Sequence, residues 1–292
     1  MSGQSELPGI WKKQELLGTQ PEPVQSKTLR KGMGVCAHFD FVINAYIGCL
    51  NACTYCYAAS FVPDETRRDN WGTWLKYKSN APSEIKGAMQ SLAGKKVLMS
   101  SSTDPYQTAE GKLGLTRRIL QILSAGGRHA AQPHLHLITR TPLILRDLEL
   151  LQTFGKLNVT LSIPTDDEDV RRTLEPHASP LESRWKTLET LKAHGIPIAV
   201  NLCPLIRLND PAGMARRLLA LNPTHIFTDA PHNRDANGGF IGTTPPNGWA
   251  ALESIGWEPD ESILANCALQ HALRTQGKPE EPAFPTKNYV KT

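Results

Sequence analysis

Three cysteines, Cys49, Cys53 and Cys56, stand on one short stretch with three residues and then two between them, and an aromatic, Tyr55, precedes the last. Three thiolates on so tight a loop can each bind one iron of a 4Fe-4S cluster and leave the fourth iron without a protein ligand. An iron open to a substrate or cofactor is a catalytic arrangement, whereas a structural site closes its coordination sphere. A structural zinc site would need a fourth ligand, usually from a second pair, and no second Cys-x-x-Cys pair exists; Cys36 or His38 would have to complete it. A redox pair of Cys53 and Cys56 would leave Cys49 without a role.

Further segments accompany the triplet. They are Asn44-Ala-Tyr-Ile-Gly48-Cys49, Tyr55-Cys56-Tyr57-Ala58, Ser101-Ser-Thr-Asp104-Pro-Tyr-Gln107, Leu113-Gly-Leu-Thr-Arg-Arg118, Ile138-Thr-Arg140-Thr-Pro142, Leu161-Ser162-Ile163, Leu174-Glu175-Pro176 and Leu208-Asn209-Asp210. In this order they resemble the radical S-adenosylmethionine (radical SAM) superfamily, and within it the spore photoproduct lyase-like, or DNA repair photolyase-like, branch. The resemblance covers residues from about 36 to 230 and implies a partial (β/α)6 barrel. It implies that Cys49, Cys53 and Cys56 carry a 4Fe-4S cluster, with S-adenosyl-L-methionine (AdoMet) on the open iron. It also implies reductive cleavage of AdoMet to a 5′-deoxyadenosyl radical that takes hydrogen from a substrate, and an electron donor such as flavodoxin or ferredoxin.

The resemblance places Tyr55 near the adenine and cofactor contacts at Ser102, Thr103, Arg140 and Ser162. Each has a plainer reading beside it. Tyr55 can simply fill the core behind the cluster. Ser102, Thr103 and Asp104 can hold the ammonium or ribose of AdoMet, or cap a helix. Arg140, where family members often carry lysine, can grip the methionyl carboxylate or form an ordinary ion pair. Ser162 can hydrogen-bond ribose or carboxylate. Asp104, Tyr57 and Cys203 are the candidate catalytic groups, Cys203 as a hydrogen-atom donor or as a small buried hydrophobe before Pro204. Asp229 and the loop through His232, Asn233 and Arg234 are candidates to face substrate. In spore photoproduct lyases a hydrogen-donating cysteine precedes the Thr-Ser-Asp run; here Ser101 stands there, and its O–H bond is too strong for that task.

Three functions follow. One is a radical SAM enzyme acting on a nucleotide, nucleoside or other small metabolite. A second is DNA lesion repair with a variant hydrogen donor. A third is a non-catalytic iron–sulfur protein in electron transfer or sensing.

The reactive residues need a scaffold of parallel strands, whose carboxyl ends carry such groups. Short apolar runs at Phe41–Tyr46, Val97–Ser101, His134–Thr139, Val159–Ile163, Ile198–Cys203 and His225–Thr228 predict six strands. Helical patterns lie between them at Ser83–Ala93, Leu115–Ser124, Arg146–Phe154, Pro180–His194 and from Asp210-Pro211 to Leu221. For Pro180–His194 the sequence predicts Ser179 as N-cap, Glu182 as its capping-box partner, and a buried stripe of Leu181, Trp185, Leu188 and Leu191. Alternating strands and helices mean a parallel sheet covered by helices, and six units fit the length better than a closed eightfold barrel of roughly 200–250 residues. Residues 1–35 read as an extended lead-in with one short helix near Trp11–Leu17, residues 36–230 as the barrel, and residues 231–292 as a C-terminal extension with a helix near Asp260–Thr275.

Composition adds bounds. The chain has 292 residues, 40% hydrophobic, 21% charged, with a net charge of +4. This is an ordinary globular balance; the mild basicity is compatible with a nucleic-acid partner without demanding one. Paired arginines at 67–68, 117–118, 171–172 and 216–217 read mostly as solvated helix faces. No run of eighteen apolar residues predicts a membrane span, and no secretory pattern opens the chain. Reduced cysteines and an oxygen-sensitive cluster predict a cytoplasmic setting.

Overall fold

The computed structural model describes residues 19–125, 131–229 and 246–276. These residues form ten strands and ten α-helices, with one or two helices between successive strands from β5 to β10. The strands are β1 (Glu22–Val24), β2 (Leu29–Lys31), β3 (Phe41–Ile43), β4 (Tyr46–Ile47), β5 (Lys76–Lys78), β6 (Lys96–Met99), β7 (His134–Thr139), β8 (Leu157–Ser162), β9 (Ile198–Leu202) and β10 (Ile226–Thr228). The helices are α1 (Glu65–Asp69), α2 (Ala81–Leu92), α3 (Glu110–Leu113), α4 (Leu115–Ser124), α5 (Leu148–Leu151), α6 (Glu168–Leu174), α7 (Leu181–Ala193), α8 (Pro211–Leu221), α9 (Pro246–Ser254) and α10 (Pro259–Thr275).

The main sheet has seven strands in the order β10-β9-β8-β7-β6-β3-β2. Six are parallel and run sequentially from β3 to β10; β2 joins the β3 edge antiparallel. A sequential parallel order is that of a barrel left open, which is the partial (β/α)6 arrangement expected. Leu135 and Leu137 of β7, Val159 and Leu161 of β8 and Val200 of β9 are buried in the core. Truncating one such leucine to alanine costs about 2–5 kcal/mol.

Local rules govern the ends of α8. Asp210 Oδ1 accepts the Gly213 N–H at 2.8 Å, Pro211 opens α8, and Asn222, in the left-handed region at φ 46°, closes it. The expected buried stripe on α7 is present, but its expected cap is not: Pro180 is the N-cap, and no capping box forms. The Leu181 N–H goes instead to Glu168 Oε2 on α6 at 3.0 Å. Likewise the helix expected over Arg146–Phe154 is a 3-10 turn at Pro142–Asp147 followed by one α-turn, because the buried Asp147 carboxylate is drawn to Arg117, Arg146 and Tyr106. Arg171 is buried rather than solvated, spent on the carbonyls of Glu175 and Ala178.

The first strand differs from expectation at the place that matters most. Phe41–Ile43 joins the main sheet, but the chain turns at Asn44, and Tyr46–Ile47 pairs with β5 in a second, three-stranded sheet completed by β1. The side chain of Asn44 is the cause. It accepts the N–H groups of Ser101 and Ser102 at 3.0 and 3.2 Å and donates to Ser101 Oγ at 3.1 Å. Residues 19–35 thus supply a strand to each sheet. The expected helix near Trp11–Leu17 lies outside the described residues. The C-terminal helix α10 packs on α8 through Ala265, Leu269, Ala272 and Leu273.

Candidate functional site

The cysteine loop follows β4 at the carboxyl end of the main sheet. Gly48 opens it at φ 85°, with room for no side chain: a Cβ there would lie 2.8 Å from the Trp74 carbonyl oxygen. Several polar groups of the loop bond to residues beyond it. Gln107, wholly buried, accepts the Leu50 N–H at 2.8 Å, and Asn51 Nδ2 donates to Asp104 Oδ2 at 3.1 Å. From the other side, the Thr54 N–H reaches the Leu174 carbonyl at 2.9 Å, and His177 Nδ1 lies 3.2 Å from the Leu50 carbonyl.

Cys49 and Cys53 are buried and Cys56 is half-buried. Burial pushes the Cys49 thiol up to about 12, with Asp104 and Cys56 adding to it. Burial also raises Cys53 and Cys56. Such thiols ionise only when a cation compensates them, which is what iron supplies. Among the described residues, no three His, Cys, Asp or Glu side chains converge as they would on a single ion. A cluster makes no such demand, because each thiolate binds a different iron.

Arg140, one residue past β7, points its guanidinium into this loop. Nη1 lies 2.9 Å from Cys53 Sγ and 3.0 Å from the Tyr55 hydroxyl, and pairs with Glu175. Tyr55 is buried and donates its hydroxyl to Glu175. Burial and then the Glu175 charge hold that phenol above its usual range, so it stays a donor. Nε and Nη2 of Arg140 bond to no described residue. The arginine is therefore part of a buried network rather than a surface pair.

Asp104 is a hub. Oδ1 takes the Tyr106 N–H at 2.9 Å and the Thr139 hydroxyl at 2.7 Å; Oδ2 takes the Arg140 N–H at 2.9 Å besides Asn51. Ser102 and Thr103 lie on the turn after β6, and Thr103 Oγ1 is buried with no partner. Ser162 closes β8 beside Arg140. It receives Asn201 Nδ2 at 3.4 Å on its hydroxyl, and its carbonyl takes Arg184 Nη1 at 2.9 Å. Tyr57 gives its hydroxyl to the Ser101 carbonyl and meets the Phe61 ring edge-on at 5.8 Å. Cys203 is half-buried at the end of β9, where burial and Asp229 raise its thiol. His232, Asn233 and Arg234 lie outside the described residues.

Two residues escaped the sequence reading as site residues. Glu175 stands in Leu174-Glu175-Pro176, and its one signal in the sequence is a charge set between an apolar helix end and a proline. Cys36 looked like an isolated thiol. Burial raises its thiol, and the neighbouring Ser101 side chain moderates that rise. Only folding brings residues so far apart in sequence together.

The model of the Radical SAM superfamily matches residues 43–216, more than half of the chain. The chain belongs to the radical SAM superfamily. Among sequences, it is similar to an uncharacterised protein of Methanocaldococcus jannaschii, 34% identical over 57% of this chain and 60% of that one. It is also similar to an uncharacterised protein of Acidianus two-tailed virus, 27% identical over 75% and 72%. The match thus spans less than two thirds of the archaeal relative. Among solved structures, its fold is similar to a tyrosine-to-phenylalanine variant of spore photoproduct lyase, with TM-score 0.60, 12% identity, and coverage of 94% of this chain and 86% of that one. It is similar, too, to that lyase complexed with dinucleoside spore photoproduct (TM-score 0.59, 13% identity, 92% and 85% covered). A doubly substituted lyase that holds AdoMet and the dinucleoside matches at TM-score 0.56 and 13% identity, over 92% and 85%. No helix among the described residues is long and apolar enough to cross a membrane.

A radical SAM assignment implies a 4Fe-4S cluster and AdoMet, and the residues fit both. Three thiols on one loop suit the cluster. A buried orphan hydroxyl on Thr103 and an arginine with one free edge suit a polar cofactor beside it.

Proposed function

We propose that this radical SAM enzyme binds AdoMet at a cluster carried by Cys49, Cys53 and Cys56, and acts on a nucleotide or nucleoside. The observation that carries the reading is the contact between Arg140 and Cys53 Sγ, because it brings a cation from β7 to the cysteine loop with its Nε and Nη2 uncommitted. Those two donors match a carboxylate bidentately, as the methionyl group of AdoMet requires. Thr103 gives its unpartnered hydroxyl to the cofactor's polar atoms, and Ser102 and Ser162 flank it. Tyr55 packs behind the loop and keeps water from it. When bound, the cluster and AdoMet together supply a 5′-deoxyadenosyl radical that takes a hydrogen atom from the substrate. The protein's own task is to hold, orient and enclose.

Support for a nucleotide-type substrate comes from the spore photoproduct lyase structures that hold a dinucleoside. A one-electron donor such as flavodoxin or ferredoxin suits the first step, and the reduced cluster and free thiols suit the cytoplasm. The test is anaerobic reconstitution with iron and sulfide, followed by assay of 5′-deoxyadenosine with a chemical reductant. Its formation is expected, with deuterium carried into it from labelled nucleosides. No 5′-deoxyadenosine with any reductant overturns the reading.

The second reading, lesion repair with a variant hydrogen donor, is favoured by one observation: the Cys36 thiol, raised by burial, has that rise moderated by the side chain of Ser101, the residue that stands where the lyases carry their donor cysteine. On that reading Cys36→Ala leaves AdoMet cleavage intact and abolishes hydrogen return to a dinucleoside product, whereas Cys203→Ala leaves both. Equal behaviour of the two variants removes it.

A further inference from the structure

Glu175 bonds to none of the three candidate ligand sulfurs, yet it pairs with the arginine that meets one of them. It lies just past the end of α6, wholly buried. Oε2 pairs with Nη2 of Arg184, which is itself wholly buried and fixed by the Ser179 carbonyl at 2.8 Å and the Ser162 carbonyl at 2.9 Å. Oε1 takes hydrogens from the Tyr55 hydroxyl and from Nη1 of Arg140. The backbone carbonyl of Glu175 is pinned by Arg171 Nη1 at 3.0 Å. Burial alone would raise the carboxyl, but Arg184 and then Arg140 outweigh it and hold it below the usual carboxylate range, so it is charged.

A guanidinium Nη carries two hydrogens. On Arg140 Nη1 one can meet the Glu175 carboxylate and the other Cys53 Sγ. The carboxylate thus fixes the donor that the sulfur receives, and it does so from an anchor, Arg184, that cannot shift without losing two carbonyl bonds. Hydrogen bonds to ligand sulfurs and nearby positive charge stabilise the reduced, more negative form of an iron–sulfur cluster and raise its potential.

We infer that Glu175 is a positioning residue: it clamps Arg140 so that Nη1 donates to a cluster-ligand sulfur and sets the cluster's reduction potential, leaving Nε and Nη2 for the cofactor. This rests on the reading of Cys49, Cys53 and Cys56 as cluster ligands. The test is the midpoint potential of the reconstituted protein without AdoMet, followed by the spectroscopic signal of the reduced cluster. Glu175→Asp keeps the charge that Arg184 needs but withdraws the carboxylate by one methylene, so the potential falls. The expected fall is on the order of tenfold in the oxidised-to-reduced ratio, about 59 mV for a one-electron couple. Glu175→Gln shifts it in the same direction, and neither substitution shifts it further in an Arg140→Gln background, because coupled residues are non-additive.

An unchanged potential in Glu175→Asp overturns the inference. So does a rise in Glu175→Gln that persists in the Arg140→Gln background, which would make the carboxylate a distant charge only. Should Glu175→Gln fail to fold, Glu175→Asp alone carries the decision. A parent protein that takes up no cluster overturns the reading of the cysteines instead, so the two failures are distinct.

Discussion

Nδ2 of Asn51 lies 3.1 Å from Oδ2 of Asp104, and this one bond ties the middle of the cysteine loop to the turn after β6. Asp104 also gathers Tyr106 N–H, Thr139 Oγ1 and Arg140 N–H. Asp104→Ala strands these donors in a buried setting, at about 1–3 kcal/mol each. The expected loss is about 3 kcal/mol or more in denaturant unfolding, with a lower cluster content. Asp104→Asn keeps one acceptor oxygen and loses less. A variant as stable as the parent would show that water replaces the carboxylate.

Thr103→Val tests the orphan hydroxyl. Valine has the same shape without the oxygen, and the buried Oγ1 has no partner to lose. The cofactor-free protein should be as stable as the parent or slightly more so. AdoMet affinity should fall by about tenfold, the worth of one hydrogen bond of roughly 1–1.5 kcal/mol. Calorimetric titration of the reconstituted protein measures it, and unchanged affinity removes Thr103 from the site.

Gly48→Ala tests the entry of the loop. The residue sits at φ 85°, and its Cβ would lie 2.8 Å from the Trp74 oxygen and 2.9 Å from its ring. Backbone strain of about 1–2 kcal/mol adds to that clash. The loop should shift and iron content after reconstitution should drop. Full iron loading would mean that β4 and Trp74 yield.

His136 sets a pH dependence remote from the cysteines. Burial first, then the charges of His38, His225, Lys96 and His134, lower its pKa to about 4 from the ordinary 6.5. The folded state therefore binds fewer protons than the unfolded state between those values. Stability from this residue is full above about pH 6.5 and is lost as pH falls toward about 4. The thermal midpoint should fall across that window, and less steeply in His136→Asn. Parallel curves for the two proteins would place the titration elsewhere.

The order of elements was legible from local pattern. His134–Thr139 and Leu115–Ser124 have the expected bounds, because an apolar run and an apolar helical stripe are properties of neighbouring residues. The strand expected at Phe41–Tyr46 and the cap expected at Ser179 failed for one shared reason. In each case a bond to a residue outside the local stretch wins: the Asn44 side chain takes the N–H groups of Ser101 and Ser102, and Glu168 takes the first N–H of α7.

The chain by itself determined the cysteine triplet and the alternation that must present it, since spacing and periodicity are local. Only the tertiary structure decided that Arg140 meets Cys53 and that Glu175 lies between Arg140 and Arg184. These contacts join residues on different strands and helices. Their existence depends on sheet order and on burial that makes a lone charge too costly, neither of which any single stretch of sequence contains.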